Sequence, residues 1–213
     1  MSDVIIYGLA QSTYTWTARM ACEEKGIGHE LQPVEFGSEA HKALHPFAKI
    51  PILNHDGVLI YETSAICRYL DEAFTGPSLQ PSDAAGRARM EQWNSCIVDY
   101  AYDWAVRRII IERLVVPQRG GKSDEAKIKD AAPHARHVMG VMDKALNGSP
   151  YLAGRQPSIA DWLLLPIVSY LPMVPEGKEI TAGLSALTDW TKRMQARASF
   201  NRTQPFPQQR AAE

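Results

Sequence analysis

The sequence predicts an α+β domain of βαβ–ββα order followed by an all-α helical-bundle domain. Three observations carry this reading. Short apolar runs and amphipathic patterns fill about the first 75 residues. A breaker-rich stretch follows, Thr75-Gly76-Pro77-Ser78-Leu79-Gln80-Pro81-Ser82-Asp83. Beyond it, apolar residues recur only at helical steps. The expected boundaries are a first domain over 1–76, a linker over 77–84 and a helical domain over 85–213.

Val4–Tyr7 is a short continuous apolar run, the pattern of a strand buried on both faces. A polar loop from Gly8 to Thr13 leads to a helix over about Tyr14 to Lys25, with Ala18, Ala21 and Cys22 facing the core and Gly26 as its stop. Leu31 to Phe36 reads as a weaker strand, with Pro33 placing it near an edge. Strand, helix, strand is a parallel right-handed βαβ unit. Ile50–Leu53 and Val58–Tyr61 then flank Asn54-His55-Asp56-Gly57, and Asp-Gly is a strong hairpin signal. Glu62-Thr63-Ser64 are capping types, and Ala65, Ile66, Tyr69, Leu70 and Ala73 repeat at helical spacing. The order is that of a thioredoxin-like domain.

In the second half, Ala84 to about Leu114 carries Met90, Trp93, Ile97, Tyr100, Trp104 and Ile111 at helical steps. After a polar loop from Pro117 to Asp124, a helix covers roughly Ala126 to Leu146, kinked or restarted at Pro133. Ser158-Ile159-Ala160-Asp161 has the form of a capping box. The helix it opens, with Trp162, Leu163, Ile167, Val168 and Leu171, is apolar enough to be the core of this domain. Leu184, Leu187, Trp190 or Thr191, and Met194 mark a last amphipathic helix before a Pro-rich tail.

With 213 residues, 45% hydrophobic and 22% charged, the composition is that of an ordinary globular protein. A net charge of −1 and no basic block longer than two residues argue against nucleic acid or an anionic membrane as partner. The longest apolar run, Trp162–Leu171, is too short to span a bilayer. Cys22, Cys67 and Cys96 lack metal or disulfide spacing and fit a reducing compartment, and Met1-Ser2-Asp3 carries no basic leader region. A cytoplasmic protein is the expectation.

Two stretches suggest chemistry. Pro51 opens a strand after Ile50, where an X-Pro bond can be cis and leave the Ile50 backbone free to pair with an extended peptide. The Glu62-Thr63-Ser64 cap offers helix-start N–H groups to a carboxylate, and the Glu62 anion suits an ammonium. An ordinary hairpin and an ordinary cap also account for these residues taken alone. A thioredoxin-like domain works where its first loop meets its first helix, here Ser12-Thr13-Tyr14-Thr15. Thiol–disulfide exchange needs Cys-x-x-Cys at that place, and hydroxyls stand there instead. A hydroxyl beside helix N–H groups can donate to a thiolate that a substrate brings.

Over nearly its whole length the chain resembles a cytosolic glutathione transferase of the serine type. The matching segments are Tyr7–Ile27, Pro46–Leu53 (Pro-Phe-Ala-Lys-Ile-Pro-Ile-Leu), Glu62–Leu70 (Glu-Thr-Ser-Ala-Ile-Cys-Arg-Tyr-Leu) and Tyr151–Pro166, in the family's order and spacing. The order of elements is also similar to the zeta class, which has Ser-Ser-Cys where this chain has Ser12-Thr13-Tyr14. The resemblance implies roles. Ser12 matches the hydroxyl that activates the glutathione sulfur, with Thr13 and Tyr14 beside it. Ile50, before Pro51, matches the residue whose backbone pairs with the cysteinyl unit. Glu62 and Thr63 match the pair that holds the γ-glutamyl amino and carboxylate groups, and Lys49 sits where a glutamine or lysine often reaches glutathione. Tyr100, Trp104 and Arg107, at steps of four and three, can line a pocket for a small hydrophobic electrophile, although such spacing is also that of core.

The implied reaction is attack of glutathione, as co-substrate, on that electrophile. A free thiol titrates near ~8.5, and a donated hydrogen bond plus the positive end of a helix favour its charged form. Glutathione-dependent isomerisation or peroxide reduction uses the same thiolate, and a non-catalytic binding protein of this fold is the further alternative. The family also implies a homodimer and a role in detoxification. No metal is expected: His134 and His137, three apart, have no evident third ligand.

Overall fold

In a computed structural model, which describes residues 4–206, the chain forms two units. The first is built from residues up to Leu79 together with the segment from Ala196 onward, and the second from Gln80–Gln195.

The first unit is a four-stranded sheet in the order β2-β1-β3-β4 with helices against it. Strand β1 (Val4–Tyr7) buries Val4 and Ile6 and leaves Ile5 and Tyr7 half-buried, so it alternates where the apolar run had suggested two buried faces. Helix α1 (Thr13–Lys25) buries Ala18, Ala21 and Cys22 and stops at Gly26, whose φ of 69° is left-handed and lets the Ile27 N–H reach the Cys22 carbonyl at 2.8 Å. Strand β2 (Glu30–Gln32) pairs parallel to β1. It is shorter than the expected Leu31 to Phe36, because Pro33 has no N–H to continue the ladder.

Helix α2 (Glu39–Leu44) was not legible from periodicity; Ser38 caps it by accepting the His41 N–H at 3.1 Å. The hairpin is β3 (Ile52–His55) and β4 (Val58–Tyr61), two residues later in its first strand than the apolar run suggested. The turn is only Asp56-Gly57, with φ of 50° and 89°, as a two-residue hairpin demands. Helix α3 (Thr63–Ala73) buries Thr63, Ile66, Cys67 and Leu70, while Ala65 and Ala73 face outward, contrary to the expected face. Its Asp71 forms a buried ion pair with Lys25 at 3.1 Å and accepts the Leu79 N–H at 2.8 Å. The breaker-rich stretch is therefore anchored at its first half, and Leu79 is buried.

In the second unit, α4 (Ala84–Cys96) continues without a break into a π-helix over Ile97–Val115. Its wider turn brings residues five apart together: Asp103 and Arg108 pair at 3.0 Å, and the Arg107 guanidinium lies 5.3 Å from the Tyr102 ring centre. Helix α5 (Glu125–Asn147) runs through Pro133. Helix α6 (Ile159–Tyr170) is buried along nearly all of its length and forms the core of the unit, as its composition led one to expect. The short α7 (Gly177–Thr181) and α8 (Ser185–Gln195) follow, the latter burying Leu187, Trp190 and Met194.

Helix α9 (Ala198–Thr203) corrects the expected domain limit of 213 for the helical part, since it packs on α1 within the first unit. The Trp16 indole N–H donates to Thr203 Oγ1 at 2.9 Å, the Trp16 and Phe200 rings lie 5.1 Å apart, and Arg197 pairs with Glu24. Among the described residues, no helix is long and apolar enough to cross a membrane.

Candidate active site

Register gathers the candidate residues of the first unit at one end of its sheet. Tyr7 stands opposite Ile52, and Ile52 opposite Tyr61. The loop after β1 that leads to Ser12, the Ile50-Pro51 segment before β3 and the Glu62-Thr63 corner after β4 therefore all leave the sheet at the same end. The Ile50–Pro51 peptide bond is cis, Ile50 is half-buried and Lys49 is exposed.

Ser12 is the N-cap of α1: its Oγ accepts the Thr15 N–H at 3.3 Å, and its carbonyl accepts the Trp16 N–H at 2.8 Å. The hydroxyl is half-buried, acts as an acceptor toward the helix and keeps its own hydrogen to donate. No carboxylate stands in the first turn of α1 to neutralise the positive helix end. Thr13 is only 6% exposed, and its carbonyl accepts the Thr17 hydroxyl, so it offers little surface to a ligand. Tyr14 is half-buried. Tyr7, which also carries a hydroxyl near this loop in the sequence, lies within β1 and is half-buried.

The loop that carries Ser12 is packed tightly at its start. A Cβ on Gly8 would collide with the Thr15 hydroxyl and stand 2.8 Å from Thr15 Cγ2. Gly8→Ala is expected to cost about 1–3 kcal/mol through overpacking, and Gly8→Ala/Thr15→Ala to recover most of it. Thermal denaturation of the single and double variants checks this.

Glu62 has φ of 69°, a conformation that costs a non-glycine residue of order 1–3 kcal/mol and that clusters at ligand sites. It is exposed, and its side chain does not cap α3. The Glu62 side chain does not cap α3 and its first turn carries no carboxylate, so the leading N–H groups of α3 stand beside the Glu62 anion without a cap from it. His45 sits close by, 1% exposed, with its ring 4.5 Å from that of Tyr61. Burial holds its imidazole below the usual histidine range, against the upward pull of Glu62.

Tyr100 and Trp104 belong to the π-helix of the second unit. Tyr100 is 54% exposed. Trp104 has its ring stacked on His134 at 4.1 Å and the Arg108 guanidinium 4.4 Å from its centre, so its ring is already engaged within the unit. Arg107 does not share their face: the wide turn sends it to Tyr102. The Trp104 stack comes from a helix 30 residues further along, which no local spacing announces. Among the described residues, no group of three or more His, Cys, Asp or Glu is arranged to hold a metal.

Comparison with known proteins bears on the family of the chain. The model of the glutathione S-transferase N-terminal domain matches residues 6–78, and that of the C-terminal domain matches residues 96–198. Glutathione S-transferase PM239X14 of Arabidopsis thaliana is 32% identical over 175 residues, spanning 78% of this chain and 80% of that one. Glutathione S-transferase hmp2 of Hypomyces subiculosus is 30% identical over 204 residues, spanning 88% and 95%. The solved structure of glutathione S-transferase III in apo form superposes with a TM-score of 0.86 at 28% identity, covering 96% of this chain and 98% of that one. With a thioredoxin-like unit, a helical unit and relatives of matching length throughout, the chain belongs to the glutathione S-transferase family.

Proposed function

We propose that this protein conjugates glutathione to small hydrophobic electrophiles, with Ser12 as the group that activates the sulfur. The observation that carries the reading is the Ser12 hydroxyl, which accepts the Thr15 N–H and keeps its hydrogen to donate at the positive start of α1. A thiolate placed there receives a charge-assisted hydrogen bond and the helix field together. The Ile50 backbone aligns the cysteinyl unit, Glu62 takes the ammonium, and the first-turn N–H groups of α3, with Thr63, take the γ-glutamyl carboxylate. Lys49 adds a positive charge near the tripeptide. The thiol gives its proton to water, and the thiolate then forms a C–S bond either by addition, the displaced electron pair moving into the acceptor, or by substitution, that pair departing with the leaving group.

The glutathione S-transferase names of the relatives favour conjugation over isomerisation or peroxide reduction. As the family resemblance implies, the protein works as a cytoplasmic homodimer in detoxification. The test is titration calorimetry with glutathione, followed by turnover of chlorodinitrobenzene. Glu62→Ala is expected to raise the glutathione Kd about tenfold or more, the worth of a hydrogen bond to a charged group. Wild-type affinity in that variant removes Glu62 from the site.

A further inference from the structure

Helix α2, the element that sequence periodicity missed, carries one buried imidazole, His41, and is followed at its C-cap by a second, His45. His41 and His45 are each 1% exposed. The His41 ring donates from Nε2–H to the Lys49 carbonyl at 3.0 Å and accepts the Gly37 N–H at Nδ1 at 3.3 Å. The His45 ring accepts the Phe47 N–H at Nδ1 at 3.1 Å and lies against Tyr61, the residue before Glu62. A carbonyl only accepts and an amide N–H only donates, so both rings carry the proton on Nε2 and a lone pair on Nδ1.

The peptide unit that His41 grips is the one whose other half is the Ile50 N–H. In a trans peptide the C=O and N–H point in opposite directions. A Lys49 carbonyl drawn inward to a buried ring therefore turns the Ile50 N–H outward, the direction a bound extended peptide needs. His45 holds the start of the same loop, through Phe47, against the β4 end that leads into Glu62. We propose that His41 and His45 are positioning residues that pre-set the 46–50 loop for glutathione, His41 by aiming the Ile50 N–H and His45 by registering the loop against the Tyr61–Glu62 corner. This rests on the functional reading above, in which Ile50 pairs with the cysteinyl unit. A loop already ordered spares the complex the entropy of ordering it.

Shape-matched amides separate the two ring nitrogens. His41→Gln places a donor where Nε2 stood and keeps the Lys49 bond; His41→Asn keeps an acceptor for Gly37 and releases Lys49. For His45 the order reverses: His45→Asn keeps the Phe47 bond and His45→Gln releases it. Glutathione Kd by calorimetry is expected to rise about tenfold in His41→Asn and His45→Gln, and to stay within about threefold of wild type in His41→Gln and His45→Asn, the loss of one ordering hydrogen bond. The kcat at saturating glutathione should stay within about threefold in all four, because Ser12 stands on another element. Melting temperatures are recorded alongside, and if one pair fails to fold the other pair decides. Equal affinities within a pair of folded variants, or losses confined to kcat, overturn the proposal. Wild-type protein that binds no glutathione overturns the functional reading itself, and this inference with it.

Discussion

Ser12→Ala is expected to bind glutathione with near wild-type affinity and to turn over chlorodinitrobenzene about 100-fold more slowly near neutral pH, the size of effect seen when one donor to a developing or resident anion is removed. The reason is electrostatic. Without the hydroxyl, the sulfur keeps the helix field but loses the only side-chain donor this reading assigns to it. Its pKa then climbs back toward the ~8.5 of a free thiol, and each unit of that climb removes roughly tenfold of the thiolate below the pKa. The deficit should therefore be largest at pH 6–7 and shrink above about pH 8.5, where glutathione ionises unaided. A rate profile that moves up the pH axis without a change in Kd is the signature.

Ser12 also caps α1, so Ser12→Ala should cost about 1 kcal/mol of stability through the cap alone. Ser12→Asp separates the two jobs. An aspartate caps as well as serine does and carries the charge that a helix start favours. It cannot donate, however, and it repels a thiolate. The expected outcome is a melting temperature at or above wild type in a nearly inactive enzyme. Full activity in Ser12→Ala reassigns the chemistry to another group, with the Tyr7 hydroxyl the first to substitute.

Which parts of this were legible from sequence depends on how local their causes are. The Gly26 stop, the Asp56-Gly57 turn and the Ser158-x-x-Asp161 helix start each rest on interactions within a few residues, and each is where the pattern put it. Helix α2 has no apolar stripe to read. What anchors it is a pair of imidazoles taking N–H groups from outside the helix, and a periodicity argument sees two histidines and nothing more. The same holds for α9, fixed to α1 by Trp16–Thr203 and Glu24–Arg197 across more than 170 residues. Within the candidate site, the cap at Ser12, the X-Pro bond at Ile50 and the cap at Glu62 and Thr63 are local features legible in the sequence, while the roles proposed for them come from the family resemblance. The role of Trp104 depends on rings from elsewhere, and the wide turn of its helix moved Arg107 off the face that α-helical counting assigned.

Asp161→Ala is expected to cost the second unit about 4–5 kcal/mol, and Asp161→Asn about 2–3 kcal/mol, as buried donors are left without acceptors. The carboxyl is fully buried, and burial pushes its pKa upward, while four donors pull the other way. Oδ1 accepts the Leu152 N–H at 3.1 Å and the Trp190 indole N–H at 2.9 Å; Oδ2 accepts the Ser158 N–H at 2.9 Å and the Ser158 hydroxyl at 3.0 Å. Alanine orphans all four. Asparagine does better if its carbonyl takes the Oδ1 position and its NH2 faces Ser158, because the serine hydroxyl can rotate and accept. The Ser158 N–H then remains the one unpaired donor. For a chain of this length each kcal/mol lowers the melting temperature by roughly 2–4 °C, so alanine should lose about 10–20 °C and asparagine about half of that. The ordering discriminates between causes. If asparagine melts as low as alanine, the charge is what holds the start of α6. If asparagine melts with wild type, the rotated serine satisfies the site and the carboxylate is dispensable. A loss midway ties the core helix of the second unit to one backbone N–H at Ser158, and Trp190→Phe, which removes a donor without orphaning an acceptor that has a second partner, should then cost only about 1 kcal/mol.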